Sequence, residues 1–406
     1  MIKKLTLLGS LYISQFIPVV FIYQALPVFM RQEGMSLQVI GSLPLLAIPV
    51  MLKFLWSPLI DRYGFTRWGH YRFWIICLQL LVIFTVIGLG FFGINQNFII
   101  LLLGLLSLSL LSSSQDIATD ALAVGLLEPQ ERGLGNAIQT SGNYMGAVIG
   151  GGGMLILLSR WGWQATLLTM ASIMLIALVP IFLHQERIKK PSKAYTTKPA
   201  LKNLIDFCRY PGIGRWLLML VFYSSGSMMA TTMFRPLLVD IGLSLPEIGW
   251  LLGVVSYSAG ILGAIISGLL IAPLGRKRSL VLFGLLRAIA ISTYLLPAFG
   301  LTNLPVLYLA AISVQISIGM AMTPLYTVMM DKSNLETAGT DYTTQNSIVH
   351  LGGIVAAAMS GVIVRMLGYR GVFVTSIVVS IIGVVLIAKI FDDINYQKAE
   401  SKLTRT

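Results

Sequence analysis

The chain of 406 residues is 56% apolar and only 11% charged, with a formal net charge of +13. Its mean hydropathy of +0.82 excludes a soluble domain, because so few polar groups cannot cover a globular surface. Apolar stretches of about 18 residues or more recur along the chain, and each is long enough to cross a bilayer. The alternating stretches of roughly ten residues that are typical of a membrane β-barrel are absent from the sequence. We therefore expect an all-α membrane protein.

Taken in chain order, the apolar stretches predict twelve membrane-spanning helices. The first begins directly after Lys3 and Lys4. It is too long for the core of a signal peptide and lacks a small-residue cleavage site, so we interpret it as a helix of the protein. The predicted spans, numbered 1 to 12, cover residues 5–30, 37–59, 73–93, 97–127, 134–158, 163–184, 216–239, 246–274, 279–300, 304–330, 342–366 and 370–391.

The distribution of lysine and arginine predicts the orientation of these spans. With the N-terminus inside, 24 of the 29 basic residues fall on or near the cytoplasmic side. The positive-inside rule therefore predicts that both termini lie in the cytoplasm. The same bias accounts for the net positive charge without nucleic-acid binding. The five basic residues left outside are Arg31, Arg160, Arg235, Arg365 and Arg370.

One long basic loop divides the twelve spans into six and six. We expect an N-terminal six-helix bundle over 1–184, a cytoplasmic linker over 185–215, a C-terminal bundle over 216–391 and a cytoplasmic tail over 392–406. Within the linker, the segment "PALKNLIDFCRY" forms either a short amphipathic helix at the inner membrane surface or a solvated connection.

The two halves of the sequence resemble each other. The stretch "LPVFMRQEGMSLQVIGSL" aligns with "RPLLVDIGLSLPEIGWL", and four further matches share an offset of 206 residues. They pair Gly133, Gln139, Gly146 and Gly162 with Gly339, Gln345, Gly352 and Gly368. A six-helix unit repeated once in parallel is typical of a transporter with two bundles.

The loop between spans 2 and 3 carries a charged motif. "SPLIDRYGFTR" has the pattern of the cytoplasmic loop signature of the major facilitator superfamily, and its counterpart "GLLIAPLGRKR" has Ala272 in place of the acid. Such charges can cap and bridge helix ends when the cytoplasmic side is closed. The residues expected to form this cytoplasmic gate are Asp61, Arg62, Gly64, Glu131, Arg132, Arg276 and Lys277.

The stretches "KFLWSPLIDRYG", "SSSQDIATDA" and "EPQERGLGNAI" resemble the muropeptide-permease (AmpG-like) branch of that superfamily, and "GTDYTTQNS" extends the resemblance into the second half. The branch also contains siderophore permeases of the RhtX/FptX type, which the chain resembles in length and in its opening segment. The resemblance implies the major facilitator fold, with two pseudo-symmetric six-helix bundles, in a transporter of the bacterial inner membrane.

From this resemblance we expect proton-coupled import of a ferric siderophore from periplasm to cytoplasm by alternating access. Two alternatives stay open: uptake of muropeptide-like sugar-peptides, and proton-antiport efflux of drugs or of a siderophore. We expect a monomer whose partners are an amphiphilic small molecule, protons and the lipid bilayer. The sequence has no ATP-binding loop and no metal-ligand spacing, so we expect no enzymatic activity, cofactor or metal.

Charged side chains within the spans are the next candidates, since each costs about 2.5–3.5 kcal/mol or more unless it is paired or hydrated. Asp116 and Asp120 lie four residues apart in span 4, on one helix face. Asp120 lies eight residues before Glu128, near the end of span 4, and Lys53 lies eight residues before Asp61, at the end of span 2. We therefore expect Lys53 and Asp120 at the same depth and able to pair, with Asp116 either sharing the lysine or remaining free.

Two roles remain open for these residues. In the first, Lys53 and the acids form an ion-pair network that holds the first bundle together. In the second, a buried acid binds and releases a proton and so couples uptake to the proton gradient.

The second half offers Arg287 in span 9, Asp331 at the end of span 10 and His350 in span 11. Arg287 either pairs with Asp331 or attracts an anionic substrate. His350 either relays protons or is simply hydrogen-bonded.

Polar and aromatic side chains on several spans are candidates for the substrate cavity, because such surfaces suit a bulky amphiphile. Helix–helix hydrogen bonding is the alternative role for each of them. The glycine-rich segment "GNYMGAVIGGGG" predicts close helix packing. The candidates for substrate binding are Tyr12, Gln15, Tyr23, Gln24, Gln139, Asn143, Tyr223, Ser227, Arg235, Gln345 and Asn346.

Overall fold

The computed structural model describes residues 1–64, 66–92, 98–186 and 200–391. Within these ranges, ten helices are long and apolar enough to cross a membrane. Two of them have 52 and 53 residues, and each is interrupted where Gly162 and Gly368 adopt left-handed φ angles of 74° and 67°. Each of these two long helices therefore contains two spans, and together with the other eight helices they account for the twelve predicted spans. The prediction of an all-helical membrane protein is confirmed.

The first six spans come from these helical segments. Span 1 consists of Ile2–Val20, Phe21–Ala25 and Leu26–Gln32; span 2 of Leu37–Ser42, Leu43–Ala47, Ile48–Leu52, Lys53–Leu55 and Ser57–Arg62; span 3 of Tyr71–Phe91; span 4 of Phe98–Leu126; and spans 5 and 6 of Arg132–Val148, Ile149–Gly153, Met154–Ala177 and Val179–Leu183.

A short helix, Ala200–Arg209, precedes span 7. Span 7 is Ile213–Asp240; span 8 consists of Leu245–Ile248, Gly249–Val255 and Ser256–Leu274; span 9 of Arg276–Ser292 and Leu295–Ala298; span 10 is Leu304–Asp331; and spans 11 and 12 form Ala338–Ile390. The predicted tail over 392–406 and part of the predicted linker, 187–199, lie outside the described residues.

Span 2 is the most irregular of the spans. Three of its helical pieces carry a proline, Pro44, Pro49 or Pro58, in their first two positions. Proline is tolerated there because the first N–H groups of a helix have no intrahelical acceptor. Tight 3₁₀ turns over Leu43–Ala47 and Lys53–Leu55 separate the α-helical pieces.

Span 5 packs closely on span 1 through its glycines. A Cβ atom added at Gly142 would lie 2.9 Å from Tyr12 Cβ, and one added at Gly150 would lie 2.3 Å from the carbonyl oxygen of Ile17. Only glycine permits such an approach of two backbones. The close packing predicted from "GNYMGAVIGGGG" is confirmed.

The chain forms two compact units. Unit 1 contains Met1–Leu127, Ser141–Leu204 and Leu335–Thr343, and unit 2 contains Glu128–Thr140, Ile205–Asn334 and Thr344–Thr406. The start of span 5 therefore belongs to unit 2 and the start of span 11 to unit 1.

The internal repeat is visible in the backbone. Gly64 and Gly275, which the aligned loop motifs place at equivalent positions, both have left-handed φ angles, of 105° and 80°. The interruptions at Gly162 and Gly368 form a second pair. Equivalent positions of the two halves thus adopt the same unusual conformation, which supports the repeat inferred from the sequence.

Candidate functional site

Unit 1 holds a polar cluster built by spans 1, 2 and 4. Lys53 Nζ forms an ion pair and hydrogen bond with Asp116 Oδ2. Gln15 Nε2 donates to Asp116 Oδ1 at 2.9 Å, and the Tyr12 hydroxyl donates to Asp120 Oδ1 at 2.9 Å. Three spans therefore contribute side chains that meet around two carboxylates.

Helix geometry explains how the cluster assembles. Tyr12 and Gln15 are three residues apart in span 1, and the two aspartates are four apart in span 4, so each pair occupies one helix face. The close packing of span 5 on Tyr12 fixes the neighbouring backbone of span 1.

The charged groups of this cluster are largely buried, so their charges must be balanced within the protein. The side chains of Lys53 and Asp116 are 1% and 27% exposed, and Asp120 is completely buried. The cluster contains one ammonium group and two carboxyl groups, and like charges one helical turn apart disfavour each other's ionised form. A proton on one carboxyl would bring this set of three groups to neutrality.

The structure corrects the expected pairing. Lys53 contacts Asp116 rather than Asp120, which lies nearer the end of span 4. The expected pairing assumed an α-helical rise of about 1.5 Å per residue. Lys53–Leu55 is instead a 3₁₀ turn, but three such residues shift Lys53 by only about 1.5 Å, while the two aspartates lie about 6 Å apart along span 4. The choice between them therefore depends on the conformation of the long lysine side chain, which a residue count does not give.

A second site in unit 1 surrounds Asp61, at the end of span 2. Its Oδ1 accepts from the Tyr71 hydroxyl at 2.8 Å and from the Gly339 amide at 2.9 Å. Its Oδ2 accepts from the Thr340 amide and hydroxyl at 2.7 and 2.6 Å. The carboxylate thus binds the N-terminus of the span 11 helix, where backbone N–H groups lack intrahelical acceptors.

Glu186, just after span 6, caps the start of span 3. Its carboxylate accepts from the backbone amides of His70 at 2.9 Å, Tyr71 at 3.2 Å and Arg72 at 2.9 Å. Gly69 makes room for it, because a Cβ there would lie 2.5 Å from Glu186 Oε2. Burial raises the pKa of Glu186, and the three amide hydrogen bonds oppose that rise.

Arg72 completes a reciprocal arrangement between spans 3 and 6. Its Nε donates to the carbonyl of Ile181 at 3.0 Å and its Nη2 to that of Phe182 at 2.8 Å. These carbonyls belong to the last turn of span 6, where backbone donors run out; the Ile181 carbonyl also accepts from the His184 amide at 3.3 Å. Span 6 thus caps span 3 through Glu186, and span 3 caps span 6 through Arg72.

Unit 2 contains a three-residue ion-pair network. Asp331, at the end of span 10, accepts from Arg132 Nη1 and from Arg276 Nε, both at 2.8 Å. Arg276 also donates to the Pro129 carbonyl at 2.6 Å. The half that has Ala272 in place of the acid therefore uses Asp331 to hold the start of span 5 and the start of span 9.

Asp331 is consequently not the partner of Arg287, and that expectation is wrong. Arg287 lies eleven residues into span 9, about 16 Å from its start, whereas Asp331 is the last residue of span 10. The buried Arg287 guanidinium instead stacks on the Tyr223 ring, 4.2 Å from its centroid, and donates to the Tyr223 carbonyl.

Several predicted cavity residues serve helix packing in this structure. The Tyr223 hydroxyl donates to the Leu280 carbonyl at 3.0 Å, and Ser227 donates to the Ser224 carbonyl within its own helix. Gln345 accepts from Trp216 Nε1 at 2.6 Å and donates to the Met329 carbonyl at 3.1 Å.

The other predicted residues differ in exposure. Gln139 and Asn346 are buried, and Tyr23, Gln24 and Asn143 are half-buried. Arg235 and His350 are exposed, and the two roles considered for His350 stay predictions. The remaining gate candidates make local contacts. Arg62 lies over the Tyr63 ring, and Glu131 accepts a hydrogen bond from the Glu128 amide. Gly64 lies close to the Trp74 side chain, and Lys277 is half-buried.

Three further residues of these sites were not predicted from the sequence: Tyr71, Glu186 and Thr340. Tyr71 and Thr340 lie at the starts of spans 3 and 11, where a helix needs side-chain partners. That position was the available signal, but only the structure shows that their common partner is Asp61. In the sequence, nothing distinguishes Glu186 from the other charged residues of the predicted linker over 185–215.

Comparisons with known proteins agree with this architecture. The profile of the Major Facilitator Superfamily matches residues 8–357. The human organic anion transporter MFSD10 (TETRAN) superposes with a TM-score of 0.69 at 16% identity, covering 95% of this chain and 97% of that one. The transporter FucP in the outward conformation also superposes with a TM-score of 0.69, at 13% identity, covering 96% of this chain and 98% of that one. At these identities the structures show the fold alone.

Relatives of known sequence cover nearly the whole chain. The anhydromuropeptide permease of Escherichia coli (strain K12) is 25% identical over 394 residues, which are 96% of this chain and 80% of the permease. The putative transporter AmpG 4 of Rickettsia felis is 23% identical over 375 residues, which are 90% of this chain and 91% of that transporter. A special similarity to siderophore permeases is not shown. With a profile match over most of its length, the chain belongs to the Major Facilitator Superfamily and is a secondary transporter.

Proposed function

We propose that this transporter imports muropeptide-like sugar-peptides across the bacterial inner membrane together with protons. The named relatives over nearly the full chain are an anhydromuropeptide permease and transporters called AmpG. They favour this alternative over siderophore import, which was the first expectation and rested on length and the opening segment.

The observation that carries proton coupling is the charge balance of the polar cluster. Asp116 is engaged by Lys53 and Gln15, while Asp120 lies completely buried beside the Tyr12 hydroxyl. In this proposal Asp116 is the partner of Lys53, and Asp120 takes up and releases the proton. Protonation of Asp120 removes the repulsion between the two carboxylates.

Span 1 links this proton site to the substrate. Tyr12 and Gln15 hydrogen-bond to the two acids, and Tyr23 and Gln24 lie farther along the same span. A phenol and amides can hydrogen-bond the hydroxyl and amide groups of a sugar-peptide. Movement of span 1 on substrate binding would therefore alter the hydrogen bond between Tyr12 and Asp120.

The proposed cytoplasmic gate consists of the two sites at which a carboxylate binds helix ends. Asp61 holds the start of span 11, and Asp331 holds the starts of spans 5 and 9. On the predicted orientation both sites face the cytoplasm, and both stabilise the state in which that side is closed. Release of the substrate requires these hydrogen bonds and ion pairs to break.

A transport assay tests the substrate and the direction. The chain is produced in Escherichia coli cells that lack their own anhydromuropeptide permease, and uptake of radiolabelled anhydromuropeptide is measured. We expect restored uptake that collapses when a protonophore removes the proton gradient. Normal cell-surface levels with no uptake, or uptake only of a ferric siderophore supplied in parallel, would contradict the proposed substrate. Accumulation in everted vesicles would instead indicate efflux.

A further inference from the structure

The helix Ala200–Arg209, which joins the two halves of the chain, presents two distinct faces. One arc of the helix is exposed and contains Leu201, Ile205 and Cys208 on one side and Lys202 and Arg209 on the other. Leu201 and Ile205 are 57% and 49% exposed. Large apolar side chains thus share an exposed arc with two cations.

The opposite face of this helix is already occupied within the protein. Asn203 and Phe207 are 7% and 5% exposed, and Leu204 and Asp206 are half-buried. The usual amphipathic pattern, with apolar residues inward and charges toward water, therefore accounts for Phe207 but not for Leu201 and Ile205.

The helix also lies close to the membrane. Only three residues separate its end at Arg209 from the start of span 7 at Ile213, so these two residues are at most about 14 Å apart even when the connection is fully extended. The end of the helix that carries Cys208 and Arg209 is therefore near the level at which span 7 begins.

We propose that this arc lies in the lipid–water interface and binds anionic phospholipids. Leu201 and Ile205 enter the boundary of the acyl chains, and Lys202 and Arg209 pair with headgroup phosphates. This division suits a helix in the plane of the interface, because apolar burial and attraction to anionic lipid both contribute to binding. The helix thereby fixes the connection between the two halves to the membrane surface, a role that does not depend on which solute is carried.

The native cysteines provide a direct test in the full-length protein. The chain has two cysteines, so Cys77→Ser leaves Cys208 as the site for a nitroxide label. The labelled protein is placed in nanodiscs of phosphatidylcholine with or without phosphatidylglycerol. Collision rates with molecular oxygen and with a water-soluble nickel chelate report the depth of the label. Thr302→Cys in a protein that also carries Cys77→Ser and Cys208→Ser places the label in an exposed loop between spans 9 and 10 and supplies the aqueous reference.

We expect the label at Cys208 to be several-fold less accessible to the nickel chelate than the reference, and less accessible still with phosphatidylglycerol. Leu201→Gln with Ile205→Gln should raise that accessibility in both lipids. Lys202→Gln with Arg209→Gln should abolish only the effect of phosphatidylglycerol. Accessibility equal to the reference in both lipids would overturn the proposal. So would shielding that neither pair of substitutions changes, since it would assign the arc to protein contacts.

Discussion

Lys53 of span 2 forms its ion pair with Asp116 of span 4, while Asp120, one turn along the same helix, binds the Tyr12 hydroxyl. The two acids that the sequence places on one helix face are therefore chemically different. Asp116 has a cationic partner, and Asp120 has a neutral donor on span 1. This difference separates a structural carboxylate from the one proposed to carry a proton.

The first prediction concerns the Lys53–Asp116 pair. Asp116→Asn leaves a buried ammonium without its carboxylate, and breaking a buried pair in this way costs about 3–5 kcal/mol. We expect Asp116→Asn and Lys53→Gln each to lower the unfolding temperature in detergent. The double variant should lose less stability than the two single losses added together, because neither member of the Lys53–Asp116 pair is then left without the other. Strict additivity would contradict the pairing.

The second prediction concerns the cap that Glu186 provides. Glu186→Gln replaces one accepting oxygen by a donor, so it cannot accept all three amide hydrogen bonds at the start of span 3. We expect faster hydrogen exchange at the amides of His70, Tyr71 and Arg72. Glu247→Gln is the matched control, since Glu247 accepts from the Ser244 amide at the start of span 8. Equal exchange at residues 70–72 in wild type and Glu186→Gln would refute the cap.

The third prediction compares two neighbouring glycines of span 5. A Cβ at Gly150 would lie 2.3 Å from the Ile17 carbonyl oxygen, whereas one at Gly152 would meet nothing within 4 Å. Gly150→Ala should therefore destabilise the protein by about 1–3 kcal/mol, the range for overpacking. Gly152→Ala should leave the unfolding temperature nearly unchanged. Similar effects of the two variants would show that spans 1 and 5 do not approach each other this closely.

The fourth prediction concerns acid sensitivity at His70. Burial lowers the pKa of His70 from 6.5 to about 4, against hydrogen bonds with the backbone of Asp61 and Ile60 that raise it. Below pH 6.5 the unfolded state binds a proton that the folded state does not, so stability falls as the pH drops toward 4. The free energy of unfolding falls by at most about 3 kcal/mol, because each pKa unit between the folded and unfolded states corresponds to about 1.36 kcal/mol.

His70→Asn removes this titration, so its stability should depend less on pH than that of the wild type over the same interval. The measurement is the difference in unfolding temperature between the two proteins as a function of pH. A difference that is constant from pH 6.5 to 4 would show that His70 is not held neutral by its surroundings.

The sequence predicts the helical repeat well, because apolar length and glycine spacing are local properties of the chain. Gly162 and Gly368 illustrate this, since the offset of 206 residues that relates them in sequence also relates two interruptions with nearly equal φ angles. The membership of Lys53, Asp116 and Asp120 in one polar cluster was likewise predictable from their approximate depths.

The partners within each cluster were not predictable, because they depend on shifts smaller than a helical turn. Asp116 and Asp120 are one helical turn apart, and the conformation of the Lys53 side chain decides that it contacts Asp116. Arg287 illustrates a different limit. Its aromatic partner Tyr223 comes from span 7, and no feature of either helix alone specifies which ring lies beneath the guanidinium.

The most direct test of proton coupling is uptake of labelled anhydromuropeptide into proteoliposomes by wild type and Asp120→Asn. Both should exchange labelled for unlabelled substrate, because exchange needs no net proton movement. With an inwardly directed proton gradient, the wild type should accumulate substrate and Asp120→Asn should only equilibrate it. Accumulation by Asp120→Asn to the wild-type level would contradict the assignment of the proton to Asp120.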